Sequence, residues 1–287
     1  MLRRGRLQVE AMRPKQWTKN GFVFAGLVFS RSFLVPGRVG RVFLAFAAFC
    51  MISGCVYMMN DVIDREKDVL HPVKKKRPIA SGRLAPTEAL TFSAVLAAVT
   101  FTFSFFLDKG FFILLLGYFL LVTSYSLVLK HIPFVDVAAI AAGFVLRTVG
   151  GAVVIHVWIS PWLILCTTLL ALFLALHKRR NELAALSDSA SGHRKSLGFY
   201  TRGLIDQILV AVILAITLSY CLYILLSGRS YYMIFTVPFV LFGIFRYQYL
   251  AVRGAGGSPE AVLLQDRALR LDILLWVTAC IAIAVLT

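Results

Sequence analysis

Long apolar runs recur along this 287-residue chain, and they decide what it can fold into. A helix crossing a hydrocarbon core needs roughly 17 to 25 mostly apolar residues. Such runs stand near 21–36, 40–59, 87–107, 111–129, 134–156, 161–177, 203–227, 231–251 and 271–287. Mean hydropathy is +0.81 and 59% of positions are apolar, so the chain must bury most of its surface in lipid. The expected fold class is all-α: a polytopic membrane bundle of about nine transmembrane helices, forming one domain over 1–287. The first run is short and interrupted by Arg31, and the eighth carries Arg246.

A formal charge of +16 would raise nucleic-acid binding in a soluble protein. Here the basic residues are one-sided with respect to the runs. Arg3, Arg4, Arg6, Arg13, Lys15 and Lys19 precede the first, and further clusters follow the second, sixth and eighth. The alternate loops hold only Arg31, Arg38, Arg41, Lys109 and Arg229. The positive-inside rule then puts the N-terminus and the large loops, about 60–86 and 178–202, on the cytoplasmic side of the plasma (inner) membrane, with the C-terminus outside. Arg13 to Asn20 reads as an interfacial segment, with Trp17 at headgroup depth, rather than as part of a cleaved leader. The five cysteines sit inside apolar runs without ligand spacing and read as small core residues. The two long loops follow comparable spans, a weak sign of a diverged four-helix repeat.

The chemistry concentrates in Asn60-Asp61-x-x-Asp64-x-x-x-Asp68 at the end of the second run. If the helix continues, Asp61, Asp64 and Asp68 share one face and their oxygens converge on a hard divalent cation. The donors are oxygens, with only His71 nearby and no cysteine, which favours Mg²⁺ over Zn²⁺. The alternative is a solvated loop carrying both signs of charge. Lys74, Lys75, Lys76, Arg77 and Arg83 follow at once, suiting either an anionic lipid surface or a diphosphate; the adjacent aspartates favour the diphosphate. Arg147 and Arg246 lie within apolar runs, where an arginine faces a cavity or a partner such as Asp136, Asp206 or a backbone carbonyl.

The aspartate register at the end of a second membrane helix resembles the first signature of the UbiA superfamily of intramembrane prenyltransferases, and the resemblance extends over essentially the whole chain. One branch is closer. Arg13 to Asn20, His71-Pro72 to Arg77-Pro78, Leu129-Lys130-His131, Arg147-Thr148-Val149-Gly150-Gly151, His177 to Leu183, Arg246-Tyr247 and Gln265-Asp266-Arg267 are similar to stretches of the decaprenyl-phosphate phosphoribosyltransferases. Superfamily members typically carry a second Asp-rich motif after the sixth helix. Here that place holds Lys178, Arg179, Arg180, Asn181 and a single acid, Glu182, which suits a second anionic substrate better than a neutral aromatic acceptor.

The resemblance implies transfer of 5-phosphoribose from 5-phosphoribosyl diphosphate (PRPP) to a polyprenyl phosphate, in lipid-linked precursor synthesis for the cell envelope. It implies Mg²⁺ on Asp61, Asp64 and Asp68, with Asn60 orienting the metal shell or ribose. Lys74, Lys75 and Arg77 would hold phosphate; Lys19, Lys130, Arg147, Lys178 and Arg179 are further phosphate candidates, and Glu182 would orient cations or ribose hydroxyls. The partners are then the membrane, PRPP and the lipid phosphate, with no nucleic acid; a homo-oligomer is allowed. Two other readings stand beside this one: an ordinary UbiA-type prenyltransferase acting on an aromatic ring, and a transporter of phosphorylated lipids.

Overall fold

The computed structural model describes residues 2–186, 195–226, 230–253 and 259–287. In chain order the helices are α1 (Leu2–Ala11), α2 (Ala25–Phe29), α3 (Pro36–Ile63), α4 (Arg65–Leu70), α5 (Pro86–Leu107), α6 (Lys109–Leu127), α7 (Val135–Val153), α8 (Pro161–Leu186), α9 (Arg202–Leu226), α10 (Val237–Val252), α11 (Pro259–Gln265) and α12 (Arg267–Leu286). Among the described residues, eight helical stretches are long and apolar enough to cross a membrane: α3, α5, α6, α7, α8, α9, Tyr231–Val252 and α12. The protein is thus a multi-pass membrane protein. Their starts are legible locally. Proline opens α3, α5 and α8, where its missing N–H is not needed. Asp108 and Asp266 cap α6 and α12, accepting from Phe111 N and Leu269 N at 2.7 Å each.

The first apolar run takes a different form. Pro14–Phe24 is a 3₁₀ helix of 11 residues that leads into the five-residue α2. Because a 3₁₀ helix rises about 2.0 Å per residue, the two pieces together reach about 30 Å, the thickness of a hydrocarbon core. The ends agree: Arg13 pairs with Asp61 at one end of the bundle, while the Phe29 ring lies 5.7 Å from Tyr223, close to the Leu226 end of α9. This segment is therefore a ninth crossing, and so long a 3₁₀ run is tolerated because it packs between α3 and α7.

Successive helices pack side by side around the bundle from α3 to α10, and α12 returns to α2. In α3 and α7, 61% and 56% of the apolar stretch is buried, against 17% in α5, α6 and α12, so the first two form the centre and the others face lipid. Two apolar cores share α7. One joins the first crossing, α3 and α6 through Val23, Phe49, Phe111 and Tyr118. The other joins α7 to α12 through Val137, Phe173, Ile205 and Tyr247.

Candidate functional site

α3 ends at Ile63, Asp64 occupies a one-residue break with φ −89° and ψ 9°, and α4 resumes at Arg65. The break does not separate the outer two aspartates. Asp61 and Asp68 are 1% and 2% exposed, and one guanidinium nitrogen of Arg77 bridges them at 3.0 Å and 2.5 Å. Arg13 also pairs with Asp61, with its guanidinium 5.0 Å from the Tyr57 ring centre, and Lys74 Nζ lies 3.9 Å from Asp68. Asp64 is half-buried and in no ion pair among the described residues. The single helical face expected for all three aspartates is thus interrupted, and among the described residues no three Asp, Glu, His or Cys side chains form a metal cluster.

The donor set still fits a hard cation. Asp61 Oδ2 is buried and accepts no hydrogen bond, an unsatisfied carboxylate oxygen beside Asp68. Arg13 and Arg77 supply the compensating charge where the carboxylates meet, so a divalent ion taking those oxygens would displace guanidinium.

Arg13 was absent from the expected site residues. It has φ 56°, an uncommon conformation for a residue other than glycine, and it directly precedes Pro14. The Arg-Pro step at the head of the first crossing was the available signal. Nothing in local periodicity pairs it with a residue 48 positions on.

A second polar cluster faces the same end of the bundle. Arg179 is fully buried. Its Nε lies 2.7 Å from Asp136 Oδ2, out of line for a hydrogen bond and so a pairing of charge. It also pairs with Glu182 and donates to Tyr125 OH at 2.8 Å. Tyr200 donates to Asp136 Oδ1 at 2.7 Å and accepts from Phe134 N at 2.7 Å. Burial, reinforced by that bond to Asp136, pushes the Tyr200 phenol up to about 12, so it stays a donor at neutral pH. The end of α6 joins the clusters: Ser126 accepts from Asn60 Nδ2 at 2.9 Å, and its neighbour Tyr125 accepts from Arg179.

The remaining expected residues divide. Lys74 and Lys75 are exposed; Lys19, Lys130, Lys178 and Glu182 are half-buried. Lys19 Nζ donates to Gln16 Oε1 at 2.6 Å, and the Lys130 carbonyl accepts from Ser196 Oγ at 2.9 Å. Arg147, expected at phosphate, instead spends its donors internally, on Asn20 Oδ1 (2.7 Å), Gly143 O (2.9 Å) and Tyr118 OH (2.6 Å). Arg179, likewise expected at phosphate, has no exposed surface to offer. Arg180 pairs with Asp206 at 2.6 Å. Arg246 pairs with Asp266 at 2.7 Å, and that hydrogen bond holds the Asp266 carboxyl below its ordinary range. In the second expected loop, residues 187–194 lie outside the described residues.

The comparison with known proteins decides the family. The model of the UbiA prenyltransferase family matches residues 21–285. The chain belongs to the UbiA prenyltransferase family. It is accordingly an enzyme of the UbiA superfamily. It is 33% identical to a decaprenyl-phosphate phosphoribosyltransferase of Corynebacterium glutamicum, over 96% of this chain and 86% of that protein. To the enzyme of the same name from Mycobacterium tuberculosis it is 30% identical, over 94% and 91%. A UbiA homologue from Archaeoglobus fulgidus bound to GPP and Mg²⁺ superposes with a TM-score of 0.73 at 16% identity, over 96% of this chain and 99% of that one, which shows the fold.

Proposed function

We propose that this UbiA-family enzyme transfers 5-phosphoribose from PRPP to a polyprenyl phosphate at the bundle end carrying Asp61 and Asp68. A phosphate oxygen of the lipid forms the new bond to ribose C1, the bond from C1 to the diphosphate oxygen breaks, and diphosphate leaves with the electron pair. The observation carrying this reading is a pair of buried carboxylates bridged by Arg77 and flanked by Arg13 and Lys74, facing a second cluster built on cations with Glu182 as its one acid within 178–182. Near-full-length relatives carrying the phosphoribosyltransferase name support it.

Asp61 and Asp68 would hold a divalent cation, with Asp64 as the third acid of the motif. Bound there, Mg²⁺ would supply positive charge against the diphosphate leaving group. Arg13 and Arg77 are already at the carboxylates, and with Lys74 and Lys75 they are placed to meet phosphate oxygens once the carboxylates are taken. Lys19, Lys130 and Lys178 are the basic residues assigned to the lipid phosphate or the ribose 5-phosphate, with Glu182, held by Arg179, at ribose hydroxyls. A phosphate dianion is already nucleophilic, so positioning and electrostatics carry the step without a strong base. The polyprenyl tail stays in the bilayer, and the excess of basic residues at this end supports a site that opens to the cytoplasmic face of the plasma membrane.

The test is diphosphate release from PRPP by purified protein, with and without polyprenyl phosphate and before and after chelation. Release that requires both the lipid and a divalent cation, and returns with Mg²⁺, is expected. Release indifferent to the chelator would contradict the metal assignment; release indifferent to the lipid would contradict the acceptor.

A further inference from the structure

Arg147 is only 6% exposed in the middle of a membrane helix, yet among the described residues no carboxylate pairs with it. Its partners are neutral: the Asn20 side-chain oxygen, the Gly143 carbonyl, the Tyr118 hydroxyl, and the faces of Tyr118 and Phe144 at 4.6 Å and 5.2 Å. An arginine kept at this depth with neutral partners carries a large desolvation penalty, which its location must justify. The location is informative, because Asn20 belongs to the first crossing, Tyr118 to α6 and Arg147 to α7. Asn20 in turn donates to Cys50 Sγ at 3.2 Å and Ser53 Oγ at 3.4 Å on α3.

One turn beyond Arg147, on the same face of α7, stands Gly151. A methyl group there would lie 1.9 Å from the carbonyl oxygen of Val23. Next to it, a methyl on Gly26 would lie 2.8 Å from Ala152 Cβ. The backbone of the first crossing therefore rests directly on α7, gripped at Asn20 by Arg147 and admitted at Val23 by the missing side chain of Gly151.

We infer that Arg147 and Gly151 form a dock that fixes the first crossing along the bundle axis, and that Arg147 is a positioning residue for Arg13 and Lys19 rather than a phosphate ligand. The crossing is a continuous 3₁₀ rod from Pro14 to Phe24. Because its rise is about 2.0 Å per residue, a slip of one residue at Asn20 would carry Arg13 out of hydrogen-bond range of Asp61. This assignment rests on the proposed function only in taking the Asp61 end as the PRPP site.

The test compares Arg147→Met, Arg147→Lys, Gly151→Ala, Arg13→Met and the double variant Arg13→Met/Arg147→Met. Amide hydrogen exchange of residues 14–24 is read in detergent without substrate, together with KM and kcat for PRPP. Arg147→Met and Gly151→Ala are expected to raise exchange in 14–24 about tenfold while leaving α9 and α12 unchanged. Both should raise KM for PRPP more than they lower kcat, and Arg147→Lys should restore part of the loss. The double variant should fall short of the product of the two single effects, since part of the Arg147 effect acts through the Arg13 guanidinium. Unchanged exchange in 14–24, or effects of the two substitutions that multiply, would overturn the dock. Should Arg147→Met or Gly151→Ala prove too unstable to purify, Arg147→Lys, which keeps the charge but not the three hydrogen bonds to Asn20, Gly143 and Tyr118, reads the same dock, with exchange in 14–24 raised by a smaller factor and unchanged exchange overturning it. Absence of PRPP turnover in the parent protein would count against the proposed function alone, because the exchange measurement needs no substrate.

Discussion

Asp61→Asn and Asp68→Asn are each expected to lower turnover by about 10²–10³-fold or more, the loss seen when a preorganised charge stabiliser is removed from a low-dielectric site, while the protein remains folded in detergent. Both carboxylates are almost fully buried, yet their partners Arg13 and Arg77 keep 26% and 27% exposure. Neither substitution therefore strands a fully desolvated cation, and Asn keeps the shape of Asp. Asp64→Asn separates two accounts of the motif. Asp64 sits at the break between α3 and α4, half-buried and outside the Arg77 bridge. If it joins the cation only when substrate is bound, its loss should raise the metal concentration needed for activity before it lowers the maximal rate. Near-parent activity in either Asp61→Asn or Asp68→Asn, assayed at the same divalent-ion concentration, would remove the carboxylate pair from the chemistry.

Arg179→Met should act mainly on stability. The substitution leaves Asp136 buried at 0% exposure with its countercharge gone, and removing one partner of a buried pair costs about 3–5 kcal/mol. In a chain of this size that lowers Tm by on the order of 10 °C. Glu182 is 28% exposed and can turn to water, so Glu182→Gln should cost far less stability. A thermal melt in detergent separates these outcomes. An unchanged Tm in Arg179→Met, with KM for PRPP raised, would return Arg179 to the phosphate ligands that its sequence neighbourhood first suggested.

The contrast between Lys178 and Arg179 shows what the sequence could and could not carry. The two are adjacent cations in a basic run and look equivalent by composition. On a helix, neighbours point about 100° apart, and the register of α8 buries Arg179 on the face of Ala175 and Leu176 while leaving Lys178 half-buried. The main helices were legible because hydrocarbon leaves the backbone few options, so long apolar runs must become helices. The aspartate register was expected to put Asp61, Asp64 and Asp68 on one face; the structure brings Asp61 and Asp68 together through Arg77, while the break at Asp64 leaves the middle acid outside that bridge. Arg13 and the 3₁₀ form of the first crossing were not legible. Both depend on contacts between segments far apart in the chain: Arg13 with Asp61, Asn20 with Arg147, Val23 with Gly151. Arg147 was noticed because it interrupts an apolar run, but its partners were decided by packing, which pairs Asp136 with Arg179 and Asp206 with Arg180 instead.

The central claim is the identity of the transferred group, and mass spectrometry of the lipid product tests it most directly. Purified protein would receive PRPP, a polyprenyl phosphate, a polyprenyl diphosphate and 4-hydroxybenzoate together with Mg²⁺. A lipid heavier than the polyprenyl phosphate by one phosphoribosyl group, with diphosphate released in equal amount, is expected; a prenylated aromatic acid with PRPP untouched would contradict the account and leave only the family membership standing.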